Sequence, residues 1–163
     1  MENKIVAHPL TGVEFAPFGE VIEKEGAQQF GINDGLCTRF HDLATIEFSG
    51  PSAKPLLSIF SSKPCPLPLE LKMVERHPLG SQAFIPFLGA PFLVIVAPDH
   101  DGKPGHPLAF VTAKGQGINF RKNTWHGVLS PLQDPADFLV IDRGGDGDNL
   151  QEYKFDEPYF VTV

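Results

Sequence analysis

A carboxylate, an imidazole and a carboxamide follow one another at short intervals near the middle of this 163-residue chain. They are Glu75, His77 and Gln82, and a second imidazole, His126, directly follows Trp125 further along. Side chains of these types transfer protons and bind divalent metal ions. Because a buried carboxylate or imidazole is costly without a partner, their place at the end of an apolar segment indicates a site. We predict that Glu75, His77 and His126 are catalytic.

The segment before this cluster predicts the strand that positions it. Apolar and polar residues alternate with a period of two from Leu69 onward, which is typical of a strand with one buried face. In this pattern Leu71, Met73, Glu75 and His77 share a face. We therefore expect Glu75 and His77 to point into the protein interior together with the apolar side chains.

Short apolar runs separated by turn residues make up the rest of the chain. Sixteen glycines and 16 prolines punctuate them, which favours many short strands over a helical bundle. The segment Thr11-Gly12-Val13-Glu14 has the form of a capping box and predicts a short helix. No repeat or linker divides the chain, so we expect one all-β domain over residues 1–163. The other predicted strands are residues 20–23, 36–41, 56–60, 84–86, 92–97, 108–112, 118–120, 125–129, 138–143 and, at a sheet edge, 159–163.

Composition and charge exclude several functional classes. A formal net charge of -7 argues against a surface for nucleic acid or anionic lipid, although a few convergent cations can still hold a small anion. The N-terminus lacks the apolar core of a secretory signal, and the apolar run at residues 92–97 is too short to cross a bilayer. Cys37 and Cys65 form no metal-binding pair, and we expect them to be reduced. We therefore predict a cytoplasmic protein without nucleic-acid or membrane partners.

The spacing Glu75-x-His77-x4-Gln82-x6-Gly89 resembles the first cupin motif, His-x-His-x4-Glu-x6-Gly. Glu75 stands at the first His position and Gln82 at the Glu position, and His126 fits the histidine that ends the second cupin motif. These four side chains offer two nitrogens and two oxygens, which Ni²⁺ or another divalent metal accepts. Because Gln82 would be a neutral ligand, we expect weak metal binding, and we expect no organic cofactor.

Longer runs resemble the ureidoglycolate lyase family, and together they cover nearly the whole chain in order. They are ERHPLGSQAFIP at residues 75–86, GINF at 117–120 with WH at 125–126, DFLVIDRGG at 137–145, INDG at 32–35 and RFHDLA at 39–44. The resemblance implies a cupin-type (jelly-roll-like) β-barrel with one or two short helices, usually a homodimer and stimulated by nickel. It also implies a carbon–nitrogen lyase that splits ureidoglycolate into glyoxylate and urea during allantoin (purine) degradation.

Eliminating urea from (S)-ureidoglycolate requires a base for the hydroxyl proton, an acid for the departing urea and a cation for the carboxylate. Glu75 and His77 suit the first two roles. The planar fork of an arginine suits the third, because it holds two carboxylate oxygens at once. Arg39 is the favoured anchor because it shares a strand face with His41, whereas Arg143 is either structural or directed at a partner subunit.

We predict that Arg39, Gln82, Trp125 and Arg143 contact the substrate. For several of the site residues a purely structural role remains an alternative. His126 could be a core histidine bonded to a carbonyl, Gln82 could satisfy backbone groups inside the barrel, and Trp125 could belong to the core. Two other functions also stay open. The same fold could cleave the ureido amide with release of ammonia, or it could bind a small carboxylate without catalysis.

Overall fold

In the computed structural model, which describes residues 3–163, the chain forms two facing β-sheets that nearly close into a barrel. The larger sheet contains β1 (Lys4–Val6), β2 (His8–Pro9), β7 (Leu69–Arg76), β9 (Phe92–Ala97), β12 (Leu108–Val111), β14 (Trp125–His126), β15 (Ser130–Pro131) and β17 (Gln151–Thr162). The smaller sheet contains β3 (Gly19–Ile22), β6 (Lys54–Ser62), β8 (Gln82–Pro86), β13 (Gly117–Phe120) and β16 (Ala136–Gly144). The remaining elements are the hairpin of β4 (Gln28–Ile32) and β5 (Cys37–His41), the hairpin of β10 (Asp99–His100) and β11 (Lys103–Pro104), and α1 (Gly12–Phe15).

This architecture confirms the predicted all-β, cupin-type barrel. The single helix begins where the capping box predicts it, since the Thr11 hydroxyl accepts a hydrogen bond from the Glu14 amide. Within residues 3–163, no helix is long and apolar enough to cross a membrane.

The strand order explains how residues far apart in sequence meet. The larger sheet runs β1-β17-β7-β14-β9-β12-β2, with β15 also paired to β9, and the smaller runs β3-β13-β8-β16-β6. β7 and β14 are therefore neighbours at the middle of one sheet, where Glu75 pairs directly with His126. β8 lies at the middle of the other sheet and begins with Gln82.

Two apolar clusters lie on opposite faces of the larger sheet. β9 shows this most directly, because Val94 and Val96 pack into one cluster and Leu93 and Ile95 into the other. The inner cluster fills the space between the sheets and is rich in aromatic rings. It includes Phe15, Phe84, Phe92, Phe110, Phe120 and Phe138. The outer cluster lies on the far face and includes Leu71, Val74, Ala97, Trp125 and Val161.

The phase of β7 differs from the simple alternation that the sequence predicts. Leu71 and Val74 both pack into the outer cluster, whereas Glu75 lines a pocket between the sheets. The ladder with β17 loses register between Lys154 and Tyr159, opposite the point where the faces of β7 reverse. A register change of one residue moves a side chain to the other face of a sheet. The prediction that Glu75 shares a face with Leu71 was therefore wrong, although Glu75 does point into the interior.

Three other strand predictions also need correction. Residues 159–163 were expected at a sheet edge, but β17 is much longer and lies between β1 and β7. The strand predicted over 125–129 ends at His126. The strand predicted over 36–41 belongs to an exposed two-stranded hairpin outside both main sheets.

Candidate active site

A pocket between the two sheets is lined by three of the seven predicted site residues. Its volume is about 400 Å³, which is within the range of small-molecule sites. β7 supplies Glu75, β14 supplies His126 and β8 supplies Gln82 from the facing sheet. The complete lining is Phe60, Ser61, Ser62, Glu75, Gln82, Phe84, His126, Val128 and Leu129.

Glu75, His77 and His126 form a tight cluster. One carboxylate oxygen and one ring nitrogen from each imidazole all lie within 4.8 Å of one another. His77 follows directly after β7, and its Nε2 lies 3.8 Å from the Glu75 Oε1. The ring of His126 stacks on the ring of Phe120 at 4.2 Å between centroids, which fixes its orientation. Glu75 and His77 remain partly accessible while His126 is buried.

Backbone carbonyls fix the protonation of both imidazoles. The Nδ1 atoms of His77 and His126 lie 2.8 Å and 2.9 Å from the carbonyl oxygens of Asn149 and Gly127. Since a carbonyl oxygen only accepts hydrogen bonds, each Nδ1 carries a proton, and in the neutral form of each imidazole the lone pair is therefore on Nε2. Neither Nε2 has a hydrogen-bond partner within residues 3–163, although both are buried.

Burial shifts the pKa values of Glu75 and His126 toward their uncharged forms. Desolvation, followed by the nearby His77, lowers the pKa of His126 to about 3, against a weaker opposing effect of the bond to Gly127. Desolvation raises the pKa of the Glu75 carboxyl, with His77 acting against this rise and Glu152 adding to it. His126 is therefore neutral at ordinary pH, and Glu75 is more basic than a surface carboxylate.

The donor set of this cluster fits a divalent metal ion. Two imidazole nitrogens with free lone pairs and one carboxylate are ligands that borderline ions such as Ni²⁺ and Zn²⁺ accept. In each imidazole the other nitrogen is bonded to a carbonyl, as is usual behind a metal-binding histidine. Gln82 lies in the same pocket with its Oε1 buried and without a partner in the described part of the chain, while its Nε2 donates to Asp142. Of the four residues that were predicted as ligands, Glu75, Gln82 and His126 therefore line one pocket, and His77 meets Glu75 and His126 closely beside it.

Trp125 does not line this pocket, which corrects its predicted place beside the substrate. Adjacent residues of a strand point to opposite faces, so His126 faces inward while Trp125 packs in the outer cluster. There its Nε1 donates to Asp99 at 2.8 Å, and Arg76 lies over its ring at 4.3 Å. Arg76 points away from Glu75, as the alternation of the strand predicts.

Neither predicted arginine anchor lies in the pocket of its own chain. The Arg143 guanidinium is buried and donates to the carbonyl oxygens of Ser49, Pro51 and Asp146. It therefore joins the segment before β6 to the turn after β16 and does not line the pocket. Arg39 was expected inside the barrel, but it lies on the exposed hairpin of β4 and β5. Its interior placement was wrong because that hairpin pairs with neither main sheet.

Two residues that sequence reasoning missed shape the cluster. The Asn149 carbonyl sets the tautomer of His77, and the Asn149 side chain accepts a hydrogen bond from the Leu79 amide. Glu152 pairs with Glu75 across the β7–β17 ladder and raises its pKa. Asn149 lies in a polar segment that reads as an ordinary turn, and the position of Glu152 depends on strand register. Neither carries a local sequence signal.

Comparison with known proteins gives a consistent result along the whole chain. The family model for ureidoglycolate lyase matches residues 2–162. "Ureidoglycolate lyase 2" of Rhizobium meliloti (strain 1021) is 59% identical over 153 residues, which cover 94% of each chain. "Ureidoglycolate lyase" of Chelativorans sp. (strain BNC1) is 58% identical over 161 residues, covering 99% of this chain and 98% of the relative. The protein of the same name from Mesorhizobium japonicum is 57% identical over 163 residues, covering 99% of both.

Proposed function

The chain belongs to the ureidoglycolate lyase family, and we propose that it eliminates urea from (S)-ureidoglycolate to give glyoxylate. The observation that carries the proposal is the convergence of Glu75, His77 and His126 within 4.8 Å at a pocket of small-molecule size. A step in allantoin (purine) degradation, a cytoplasmic location and a homodimeric state are parts of the same proposal. The free state of Cys37 and Cys65 is compatible with the cytoplasm.

The reaction moves one proton from the hydroxyl oxygen of the substrate to the leaving nitrogen. The unprotonated Nε2 of His77 accepts the hydroxyl proton while the carbon–nitrogen bond breaks. The electron pair of that bond goes to the nitrogen, which takes a proton from the Glu75 carboxyl. Desolvation raises the pKa of this carboxyl, which favours its proton-donating form. His77 then returns its proton to Glu75 across the 3.8 Å gap, which regenerates both groups.

His126 and Gln82 orient the substrate. His126 is held neutral, so its Nε2 can accept a hydrogen bond from a urea N–H of the substrate without competing for the hydroxyl proton. The free Oε1 of Gln82 faces the same space and can accept from a urea nitrogen. If a divalent metal is present, His77, His126 and Glu75 would hold it with Gln82 nearby. When bound, such an ion would polarise the oxygen atoms of the substrate.

Product analysis tests this function. Freshly prepared (S)-ureidoglycolate is incubated with purified protein, with and without a chelator, and urea, glyoxylate and ammonia are each assayed after spontaneous decay is subtracted. We expect equal amounts of urea and glyoxylate. Undiminished turnover after chelation would show that Glu75 and His77 act as the proton-transferring pair without a bound ion, and loss of turnover would show that they act as metal ligands. Ammonia in place of urea would identify an amide-cleaving hydrolase instead. Thermal stabilisation by the substrate without turnover would identify a carboxylate-binding protein.

A further inference from the structure

The pocket lacks a cation for the carboxylate of the proposed substrate. None of its lining residues from the described part of the chain is a lysine or an arginine, and Glu75 adds a negative charge when ionised. A carboxylate that enters a half-buried pocket beside Glu75 requires a positive partner, because an unpaired charge there is costly. One chain alone therefore offers an incomplete site. This reasoning rests on the proposed function, which supplies the carboxylate.

Three of the four arginines are already engaged elsewhere. Arg76 bonds to Asp99 and Gln151, Arg121 donates to the Ala16 carbonyl, and Arg143 holds three backbone carbonyls. The Arg39 side chain forms neither an ion pair nor a hydrogen bond with any residue from 3 to 163. Its guanidinium lies 5.9 Å from the centroid of the Phe30 ring.

Arg39 lies on a projecting hairpin, residues 28–41, which we call the arm. Both arm strands are five residues long, so the arm extends about 16 Å at the usual rise per strand residue. Phe30 pairs with Arg39 and Ile32 with Cys37 across the ladder, so these four side chains share one face. Phe30 and Ile32 are exposed, and Leu36 at the tip is 91% exposed. An exposed apolar face of this kind indicates a contact surface.

A matching surface lies beside the mouth of the pocket. β6 pairs with β16 on one side and with no other strand of residues 3–163, so nine residues form an open sheet edge. Leu57 and Ile59 on this strand are 72% and 63% exposed. Phe60, Ser61 and Ser62 at its end line the pocket. Long apolar edge strands are normally covered, because they otherwise promote aggregation.

We propose that the arm of a second copy of this chain covers β6, and that its Arg39 enters the pocket and grips the substrate carboxylate. Charge complementarity favours this occupant, since the arm brings an unpaired guanidinium to a pocket that contains Glu75 and no cation. The arm follows β3, which lies at the opposite edge of the smaller sheet from β6. A two-fold axis therefore lets each arm reach the β6 of its partner, and both pockets are completed together.

Activity complementation between two impaired variants tests the proposal. Arg39→Ala should lower kcat/KM roughly 10- to 100-fold, mostly through KM, because a charge-assisted contact to the carboxylate is lost. Glu75→Gln should be inactive. When the two chains are co-expressed, half of the dimers are mixed, and each mixed dimer has one complete pocket. The mixture should recover about a quarter of wild-type kcat/KM.

Recovery requires Arg39 to act across the interface, since no pocket would be complete if each chain used its own arginine. A mixture that stays as inactive as its parts would overturn the proposal, as would wild-type KM in Arg39→Ala. Matched controls are Lys63→Ala and Lys154→Ala, which remove the exposed lysines nearest in sequence to Ser62 and Glu152 and should leave KM unchanged. A larger rise of KM in either control than in Arg39→Ala would place the anchor in the same chain.

A cross-linking experiment tests the placement of the arm without activity. Cys37 is free, exposed and on the same face of the arm as Arg39. In a Ser62→Cys, Cys65→Ser variant, a short bis-maleimide should join Cys37 to position 62 of the partner and give a covalent dimer on a denaturing gel. Adding Cys37→Ser should abolish the product. If the denaturing gel shows only monomer for the variant that keeps Cys37 as well as for the one that lacks it, the arm placement is wrong. If wild-type protein forms no urea and glyoxylate, only the proposed function is wrong.

Discussion

The two faces of the β7–β14 strand pair carry different kinds of polar group. On the inner face, Glu75 and His126 present a carboxylate and an imidazole whose Nε2 has no partner in the described part of the chain. On the outer face, the residues next to them in sequence, Arg76 and Trp125, are joined through Asp99. The same two strands therefore position an unsatisfied cluster and a satisfied network, separated only by the thickness of one sheet.

The outer network is closed. Arg76 donates to Gln151 at 2.7 Å and to Asp99 at 2.9 Å, and the Trp125 ring lies 4.3 Å from the guanidinium. The hydrogen bond from Trp125 is the main cause that lowers the pKa of Asp99. Groups that satisfy one another have little to offer a ligand. The inner cluster, in contrast, leaves buried atoms without partners, which costs stability in the free protein and is typical of a binding site.

The largest expected effect is a loss of activity after substitutions on the inner face. Glu75→Gln and His77→Ala should each lower kcat by about 10²- to 10⁴-fold, because each removes a group that transfers a proton. Glu75→Gln should unfold at or above the wild-type midpoint, because it removes a buried charge, whereas His77→Ala should unfold slightly below it, because the Asn149 carbonyl loses its hydrogen-bond donor. Steady-state kinetics and urea unfolding measure the two quantities on the same samples.

A substitution on the outer face provides the matched comparison. Arg76→Met, next to Glu75 in sequence, keeps a long apolar side chain on the outer face but removes the positive charge. Because Arg76 points away from the pocket, kcat should stay within a few-fold of wild type. Wild-type turnover in folded Glu75→Gln would refute the assignment of the inner face. A loss of activity in Arg76→Met as large as that in Glu75→Gln would remove the distinction between the faces.

The next effect concerns stability and should appear on the outer face. Trp125 is 3% exposed, packs in the outer cluster and bonds to Asp99. Trp125→Ala should lower the free energy of unfolding by about 3–5 kcal/mol, as large buried aromatics do on truncation. Trp125→Phe keeps most of the packing and should lose only about 1 kcal/mol through the lost hydrogen bond to Asp99, which Arg76 still pairs. Folded Trp125→Phe with a greatly reduced kcat would show that the outer face takes part in catalysis.

The sequence predicts these two faces unequally well. Spacing places Glu75, His77, Gln82 and His126 in one site, because the cupin-like pattern relates positions on separate strands. Strand alternation correctly turns Arg76 away from Glu75. It also predicts that Trp125 and His126 point to opposite faces, but the predicted role of Trp125 at the substrate ignored this rule. Strand alternation thus correctly predicts that neighbouring side chains point to opposite faces of the sheet.

Long-range register accounts for what the sequence could not predict. The phase reversal in β7 depends on the irregular ladder between Lys154 and Tyr159, which no local pattern in residues 69–77 encodes. The exposed position of Arg39 has a similar cause, since a two-stranded hairpin and a strand of a barrel show the same alternation. Arg143 could not be assigned because two of its three carbonyl partners, Ser49 and Pro51, lie more than 90 residues away in sequence. Tertiary pairing decides each of these cases.

The smallest expected effect is a pH dependence of stability that comes from the inner face. His126 is buried against Phe120, and the titratable groups that face it are Glu75 and His77. Its pKa is about 3 in the folded chain and about 6.5 in an unfolded chain. Between these two values the unfolded state binds more protons, so stability falls as the pH falls through this window. From pH 7 to pH 5, this group should lower the free energy of unfolding by about 2 kcal/mol.

Urea unfolding in the presence of a chelator measures this dependence on metal-free protein. His126→Gln should flatten the slope between pH 7 and pH 5, whereas His8→Gln, which changes an exposed histidine, should keep it. An unchanged slope in His126→Gln would mean that His126 takes up a proton in the folded state as readily as in the unfolded state. In that case the inner face would hold a charged imidazole, and the contrast between its free lone pairs and the closed network of Arg76 would no longer hold.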